Sequence, residues 1–404
     1  MRICFISREY PPETGFGGIG TYTYQLAHGL TKKGHDVTVI SQAVKKEIFY
    51  KDKKVKVYRI FDDKVPFRGF TKISNLLTGN AFSHYWHSRS VFKKINQLIE
   101  QQGNFDIIEG PLWDGECLAY DYRIGIPLIV RLQTPIFKSL EILGKPNNKT
   151  VEYVERKALE KAVLIPSISN NVASLISSYY KIPKSKIRLC YLGIESSKIK
   201  KPVFKKNSYK LLYVGRLEKR KGTQEFIESL NEILSKNQKI TIDIVGKDIS
   251  QAPGTISYKE YFNQIINKKY KKRVRFYGFV DNKKLESFYK NCDLFIAPSR
   301  YESFGLIFLE AYIYGKPVIG TTAGAIPEIV SHGKTGLLIE PNNSSQITEA
   351  VLKIFNNDSL RKKMGEQAFK YVRKNFSVEQ MVDLSLDIYN EAIKKYKKNY
   401  GKLI

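Results

Sequence analysis

Cysteine is scarce and scattered in this chain. Its 404 residues include four, Cys4, Cys117, Cys190 and Cys292, and none belongs to a CxxC pair. That spacing argues against a disulfide framework or a zinc site and points to a reducing compartment. No run of about 18 apolar residues occurs, so no ordinary spanning helix is expected. The opening segment Arg2–Ser7 is apolar, but Arg8 and Glu9 cut it short. It reads as a first strand, because a signal peptide needs a longer apolar core. The expected location is therefore cytoplasmic. Low-complexity tracts and repeats of solenoid length are missing too. Acidic residues are few, 39 Asp and Glu against 67 Lys and Arg, for a formal net charge of +28. Such an excess suits anionic partners: nucleic acid, anionic lipid or phosphorylated substrates. A Lys-, Asn- and Ile-rich composition would produce the same number with no partner at all. Both halves carry a similar excess, which argues against one basic arm. No RRM, KH or helix-turn-helix signature accompanies it, so nucleic acid is not an expected partner.

What is present is enough apolar sequence for two α/β domains of usual size. Arg2–Ser7 reads as a strand, followed by a loop, Glu9 to Gly20, that ends in Gly17-Gly18-Ile19-Gly20. Tyr22, Leu26 and Leu30 then recur at helical spacing, Gly34 ends the helix, and Val37–Ile40 begins the next strand. This is a βαβ unit with a glycine-rich first turn. The same order restarts at Lys210: strand Leu211–Val214, loop Gly215–Gly222, helix Thr223–Leu234, strand Ile240–Val245. Two such starts predict two doubly wound, Rossmann-like domains. Further strands are expected at Phe105–Glu109, Pro127–Leu132, Ala162–Ser167, Arg273–Gly278, Leu294–Pro298 and Pro317–Gly320. The polar, basic stretch Ser196–Ser208 reads as the linker. The expected division is 1–200, 201–375 and 376–404, the last being helices that pack back toward the N-terminal domain.

Three segments carry chemistry. Gly17, Gly18 and Gly20 offer backbone N–H groups to an anion, backed by the dipole of the following helix. The pattern is not GxGxxG, and no acidic residue caps a second strand about twenty residues later, so a nicotinamide-dependent dehydrogenase is not expected. In the second loop, Arg216 and Lys221 follow a strand and precede a helix, where two cations can neutralise a diphosphate. The third segment, Pro298 to Ala311, runs from a strand end into a helix. Glu302 precedes that helix, Phe304, Gly305 and Leu306 place free amides at its start, and Glu310 interrupts an apolar face of Leu306, Ile307, Leu309 and Ile313. A carboxylate on such a face is costly unless hydroxyl donors meet it, and a sugar or ribose supplies them.

With these residues in order, the chain resembles glycosyltransferase family 4, a group of retaining enzymes with the GT-B fold. The likeness covers the whole chain and is densest from Gly278 to Pro341: Gly278-Phe-Val280, Asp293-Leu-Phe, Pro298-Ser, Glu302-Ser-Phe-Gly305, Glu310-Ala, Gly315-Lys-Pro-Val, Glu328-Ile-Val and Gly336-Leu-Leu. The resemblance implies two domains facing each other across a cleft that holds the reaction. It implies that Glu302 contacts the donor sugar and Glu310 the ribose hydroxyls, with the amides of Phe304, Gly305 and Leu306 on the sugar and diphosphate. Arg216 and Lys221 match the cations that hold the diphosphate, Gly17 and Gly18 the N-terminal glycine loop, and Val280 the flank of the base. One position departs from the pattern. Gln133, in Arg131-Leu-Gln-Thr-Pro135, stands where many relatives carry a histidine that bonds the donor sugar. Glutamine can hydrogen-bond a hydroxyl but carries no proton at neutral pH. Glu109, at a neighbouring strand end, is a candidate for the acceptor side.

The activity so implied is transfer of a hexosyl unit from a nucleoside diphosphate sugar to a hydroxyl of a glycan or lipid-linked acceptor, with retention. It would serve cell-surface polysaccharide or glycolipid synthesis. Arg216 and Lys221 would replace a divalent cation, so no metal and no cofactor beyond the donor is expected. A sugar-nucleotide 2-epimerase, a phosphorylase on the same fold, and a non-catalytic basic binder of nucleic acid or membrane stay open as alternatives. Peripheral contact with the anionic inner face of a membrane is a further expectation. It rests on the basic cluster Lys45–Lys56, on Phe67-Arg-Gly-Phe-Thr-Lys72 and on Leu76–Trp86. A solvated basic face over a core helix explains the same residues equally well.

Overall fold

The computed structural model describes residues 1–14, 17–62, 81–196, 202 and 204–400. The chain divides into two compact domains, Met1–Gly193 with Val378–Ile404, and Ile194–Ser377. The sequence placed these breaks at 200/201 and 375/376.

In the first domain the strands β1 (Arg2–Ile6), β2 (Asp36–Gln42), β3 (Ile48–Asp52), β4 (Val55–Ile60), β5 (Ile107–Pro111) and β6 (Leu128–Arg131) form one sheet in the order β3-β4-β2-β1-β5-β6. All pairings are parallel except β3 with β4. Central strands covered on both faces read as continuous apolar runs, and Ile3–Ile6 of β1 are all buried. A short parallel pair, β7 (Ile165–Ser167) and β8 (Ile187–Leu189), follows. The helices are α1 (Gly18–Lys32), α2 (Ala81–Gln102), α3 (Ile136–Ile142), α4 (Lys149–Lys161) and α5 (Asn170–Tyr180). Tyr22, Leu26 and Leu30 of α1 are buried, as their spacing predicts.

The β3–β4 hairpin corrects the reading of Lys45–Lys56 as a basic cluster alone. Val55 and Val57 alternate inward along β4 while Lys56 and Tyr58 lie partly exposed between them, a period-2 pattern masked by lysines. Phe67–Lys72 lies outside the described residues, and Leu76–Trp86 is described only from Ala81.

The second domain repeats the plan with β9 (Lys210–Val214), β10 (Thr241–Val245), β11 (Val274–Phe276), β12 (Leu294–Ile296), β13 (Val318–Thr321) and β14 (Gly336–Ile339). Their order is β11-β10-β9-β12-β13-β14, all parallel. Helices α6 (Thr223–Lys236), α7 (Tyr258–Ile265), α8 (Asn282–Asn291), α9 (Leu306–Tyr312), α10 (Ile326–Ile329), α11 (Ser344–Phe355) and α12 (Asp358–Asn375) complete it. Leu211, Ile242, Leu294 and Ile319 from four strands share one core with Phe226 and Leu230 of α6 and Val351 of α11.

The last helix, α13 (Val378–Tyr400), belongs to the first domain. It is tied there by Glu391, which accepts from Arg188 Nε at 2.8 Å, and by Tyr389, whose hydroxyl donates to Glu109 at 2.6 Å. No described helix is long and apolar enough to cross a membrane.

Candidate active site

In a parallel sheet, ligands meet the carboxyl ends of the strands, where loops pass into helices. In the second domain two such loops are locked together. The loop after β9 ends in a single 3-10 turn, Lys219–Lys221, and then Gly222 at φ 65°, the cap of α6. A Cβ on Gly222 would lie 1.9 Å from the Pro298 carbonyl oxygen, so glycine alone allows this approach to the loop after β12. Arg300 N then donates to Arg220 O at 2.8 Å.

Across this contact Lys221 Nζ lies 2.5 Å from Glu302 Oε1, which also accepts from Ser299 Oγ at 2.7 Å. Arg220 Nη1 is 3.6 Å from Glu302 Oε2 and its Nη2 donates to Glu218 Oε1 at 2.8 Å. Glu302 is buried at 7% exposure. Burial alone would raise its carboxyl, but Lys221 and Arg220 outweigh that and hold it below the usual glutamate value. Burial draws the Lys221 ammonium down, against the pull of Glu302. Oε2, with Arg220 at 3.6 Å, is the oxygen with capacity left for a hydroxyl donor.

The Glu302 loop is pinned from behind. Thr321 Oγ1 donates to Ser299 O at 2.6 Å, and Ala325 N donates to Glu302 O at 2.8 Å. Gly324, at φ 63°, permits the second contact, since its Cβ would sit 2.4 Å from that same carbonyl oxygen. Gly305 caps α9, and no acceptor meets the amides of Gly305 or Leu306 among the described residues. Phe304 is buried, with its ring 6.1 Å from that of Phe376.

Glu310 lies on α9, partly buried. Tyr289 of α8 donates to its Oε2 at 2.8 Å. Burial raises its carboxyl, and Tyr289 and Lys221 oppose that shift. Its Oε1 has no hydrogen-bond partner among the described residues. Val280, partly buried, follows β11 on a short loop beside the exposed ring of Phe279.

The structure thus brings Lys221 and Glu302 into contact, with Glu310 close enough to feel the Lys221 charge. Arg216 stands at the exposed edge: its side chain is 60% exposed and lies 3.4 Å from the Glu218 oxygen that Arg220 also bonds, while Arg220 takes the buried place beside Glu302. Sequence reasoning missed Arg220, Ser299 as a donor, Tyr289 and Gly324. A run such as Glu218-Lys-Arg-Lys221 does not reveal which cation turns inward.

In the first domain, Gly17 caps α1 and Gly18 opens it. One amide of that terminus is already taken, because Gly20 N donates to Glu9 Oε2 at 3.2 Å. Gln133, after β6, is 7% exposed, and its Nε2 has no hydrogen-bond partner among the described residues. Glu109 is corrected. It is fully buried, with both oxygens committed to Arg131 at 2.6 and 3.2 Å and one of them also to Tyr389. A carboxylate so paired is a core ion pair with no surface to offer an acceptor.

Comparison with known proteins follows the two-domain division. A family model described as Glycosyltransferase Family 4 matches residues 16–198, and one described as Glycosyl transferases group 1 matches residues 195–371. An uncharacterized glycosyltransferase of Methanocaldococcus jannaschii is 23% identical, over 97% of this chain and 99% of its own. The solved sucrose-phosphate synthase of Thermosynechococcus elongatus superposes with a TM-score of 0.76 at 19% identity, covering 97% and 99% of the two chains. HepE of Anabaena, solved in complex with UDP-glucose, gives a TM-score of 0.69 at 16% identity over 96% and 100%. At such identities the likeness establishes the fold, which is GT-B.

Proposed function

Because this chain belongs to the glycosyl transferases group 1 family and is a glycosyltransferase, we propose that it moves a hexosyl unit from a nucleoside diphosphate sugar to a hydroxyl of a glycan or glycolipid acceptor, with retention at the anomeric carbon. The observation that carries this reading is the cluster of Lys221, Arg220 and Glu302, flanked by Glu310. Diphosphate arriving at this loop draws Lys221 Nζ away from Glu302 and takes its charge, with Arg220 behind it and exposed Arg216 closing from solvent. Glu302, relieved of one cation, accepts from a sugar hydroxyl, and the free oxygen of Glu310 accepts from the ribose.

The bond from the anomeric carbon to the diphosphate oxygen breaks as the acceptor oxygen bonds on the same face. The acceptor proton passes to the departing phosphate. The chain then supplies position and charge, with the cations taking the role of a divalent metal. The UDP-glucose held by HepE makes UDP sugars the first donors to try.

The test is thermal shift with UDP, GDP and ADP sugars on wild type and Glu310→Ala. A rise with one base, lost in the variant, supports the site and names the nucleotide. No rise with any of them overturns the reading. Conversion of the donor sugar without an acceptor, seen by NMR, would favour the epimerase instead.

A second observation favours peripheral attachment to an anionic membrane, on the side where lipid-linked acceptors are presented. Val44, Phe49 and Phe61 are 56%, 50% and 44% exposed around the β3–β4 hairpin, among exposed Lys45, Lys46, Lys51, Lys53 and Lys54. Apolar side chains set among lysines suit an interface carrying negative headgroups. Equal sedimentation with and without anionic liposomes at moderate salt would end this part of the proposal.

A further inference from the structure

The second domain has a cavity of about 460 Å³ at the amino ends of its strands, away from the Glu302 loop. Asp293 lies just before β12, and Lys316 and Pro317 just before β13, whereas Ser299 and Glu302 follow β12 at its other end. The remaining wall comes from the first turns of α12 and from the segment around Lys205.

Five cations line this cavity: Lys205, Lys206, Lys316, Arg361 and Lys362. Two acids stand among them: Asp293, whose Oδ2 accepts from Ser208 Oγ at 2.7 Å and Lys210 N at 2.8 Å, and Glu366, exposed at the rim, so the cations are in excess. Among the described residues no carboxylate pairs with Lys205, Lys206 or Lys362, and the Lys316 ammonium donates to a neutral carbonyl, Lys290 O, at 2.9 Å. Burial lowers the Lys316 ammonium, Cys292 and Asp293 oppose that shift, and the smaller effects of Lys205 and Arg361 add to it. A concave surface on which cations outnumber acids focuses a positive potential where an anion is favoured.

We propose that this cavity is a second anion site, separate from the donor site, and that it takes a small phosphomonoester. The residue types select this class. Arg361 is buried and both its Nη groups are engaged, by Ser208 O at 2.6 Å and Asp358 Oδ1 at 2.6 Å, so flat, bidentate carboxylate recognition is closed. The available groups are lysine ammoniums, point charges that converge from several directions on the three oxygens of a dianionic phosphate. Tyr314, on the wall, gives an apolar face for the organic part of the ester, and the volume admits a sugar ring beside the phosphate.

The test is titration calorimetry of the full chain at about 0.15 M salt, where surface attraction is screened. The probes are glucose 6-phosphate, with glucose as the uncharged control. The expected result is saturable one-to-one binding of the ester alone. It should survive excess UDP and Lys221→Ala, and weaken at least ten-fold in Lys206→Glu/Lys362→Glu. Both lysines are exposed, so that double variant should melt with the wild type. No saturable binding, displacement by UDP, equal binding of glucose, or full affinity in the double variant would each overturn the proposal.

Discussion

At the scale of single residues, the chemistry turns on one buried ion pair. Removing one partner of such a pair leaves a charge unpaired and costs about 3–5 kcal/mol. Lys221→Met should therefore lower the urea midpoint of the second domain and reduce turnover about 10²–10³-fold, the range for losing one stabilising charge. Lys221→Arg should not rescue turnover, because a planar fork does not fit where one ammonium meets Glu302 and then a phosphate. Glu302 has a carboxyl held below its ordinary value, so its contribution to stability is present above that value and lost as pH falls through the lowered one. Urea midpoints between pH 6 and 3 should show this slope in wild type and a flatter one in Glu302→Gln. Gly324→Ala should shift the melting point down and cut activity at least ten-fold. The added methyl meets the Glu302 carbonyl at 2.4 Å and sits in a left-handed conformation, worth about 1–2 kcal/mol by itself. Lys221 and Glu302 were legible in the sequence because each sits at a strand-to-helix turn. Arg220 and Tyr289 were not, because their roles depend on which way a side chain faces.

At the scale of elements, helix α3 shows how a buried acid supports a loop near Gln133. Glu155 of α4 is 1% exposed and accepts from Ile136 N, the first residue of α3, at 3.2 Å, and from the Tyr180 hydroxyl. Burial pushes its carboxyl up to about 7, with those two hydrogen bonds opposing. The unfolded chain gives up this proton first, so stability is greatest below the ordinary glutamate value and is lost as pH rises toward about 7. The loss amounts to about 3 kcal/mol. Glu155→Gln, which keeps an acceptor for Ile136 N, should remove that pH dependence. Relative to wild type it should gain stability at pH 8 over pH 5 in chemical denaturation. The same scale separates what patterning reveals from what it hides. Strands such as Leu211–Val214 were plain because parallel strands buried on both faces must be apolar throughout. The β3–β4 hairpin was hidden, since an edge pair half in water alternates, and its outward positions are lysines that read as surface.

At the scale of the whole molecule, the charge of +28 and the exposed Val44, Phe49 and Phe61 make a joint prediction. Binding to anionic vesicles should weaken from about 0.05 to 0.3 M salt, as screening shortens the reach of the lysines. Phe49→Ser should weaken what remains at high salt, where apolar contact dominates. Vesicle sedimentation measures both. Salt dependence without any effect of Phe49→Ser would assign the attraction to charge alone.

The sequence by itself determined the two-fold α/β plan, the family, and the loops that carry the charged cluster. Periodicity, glycine placement and ordered motifs are local properties, written in residues close together along the chain. Tertiary structure alone decided that Glu109 is locked in a core ion pair with Arg131 and that Arg220 and not Arg216 stands beside Glu302. It also gathered five cations from three segments between Lys205 and Lys362 around one cavity. The reason is physical: partners and burial are set by contacts between distant segments, and a residue's charge or size does not say which segment will meet it.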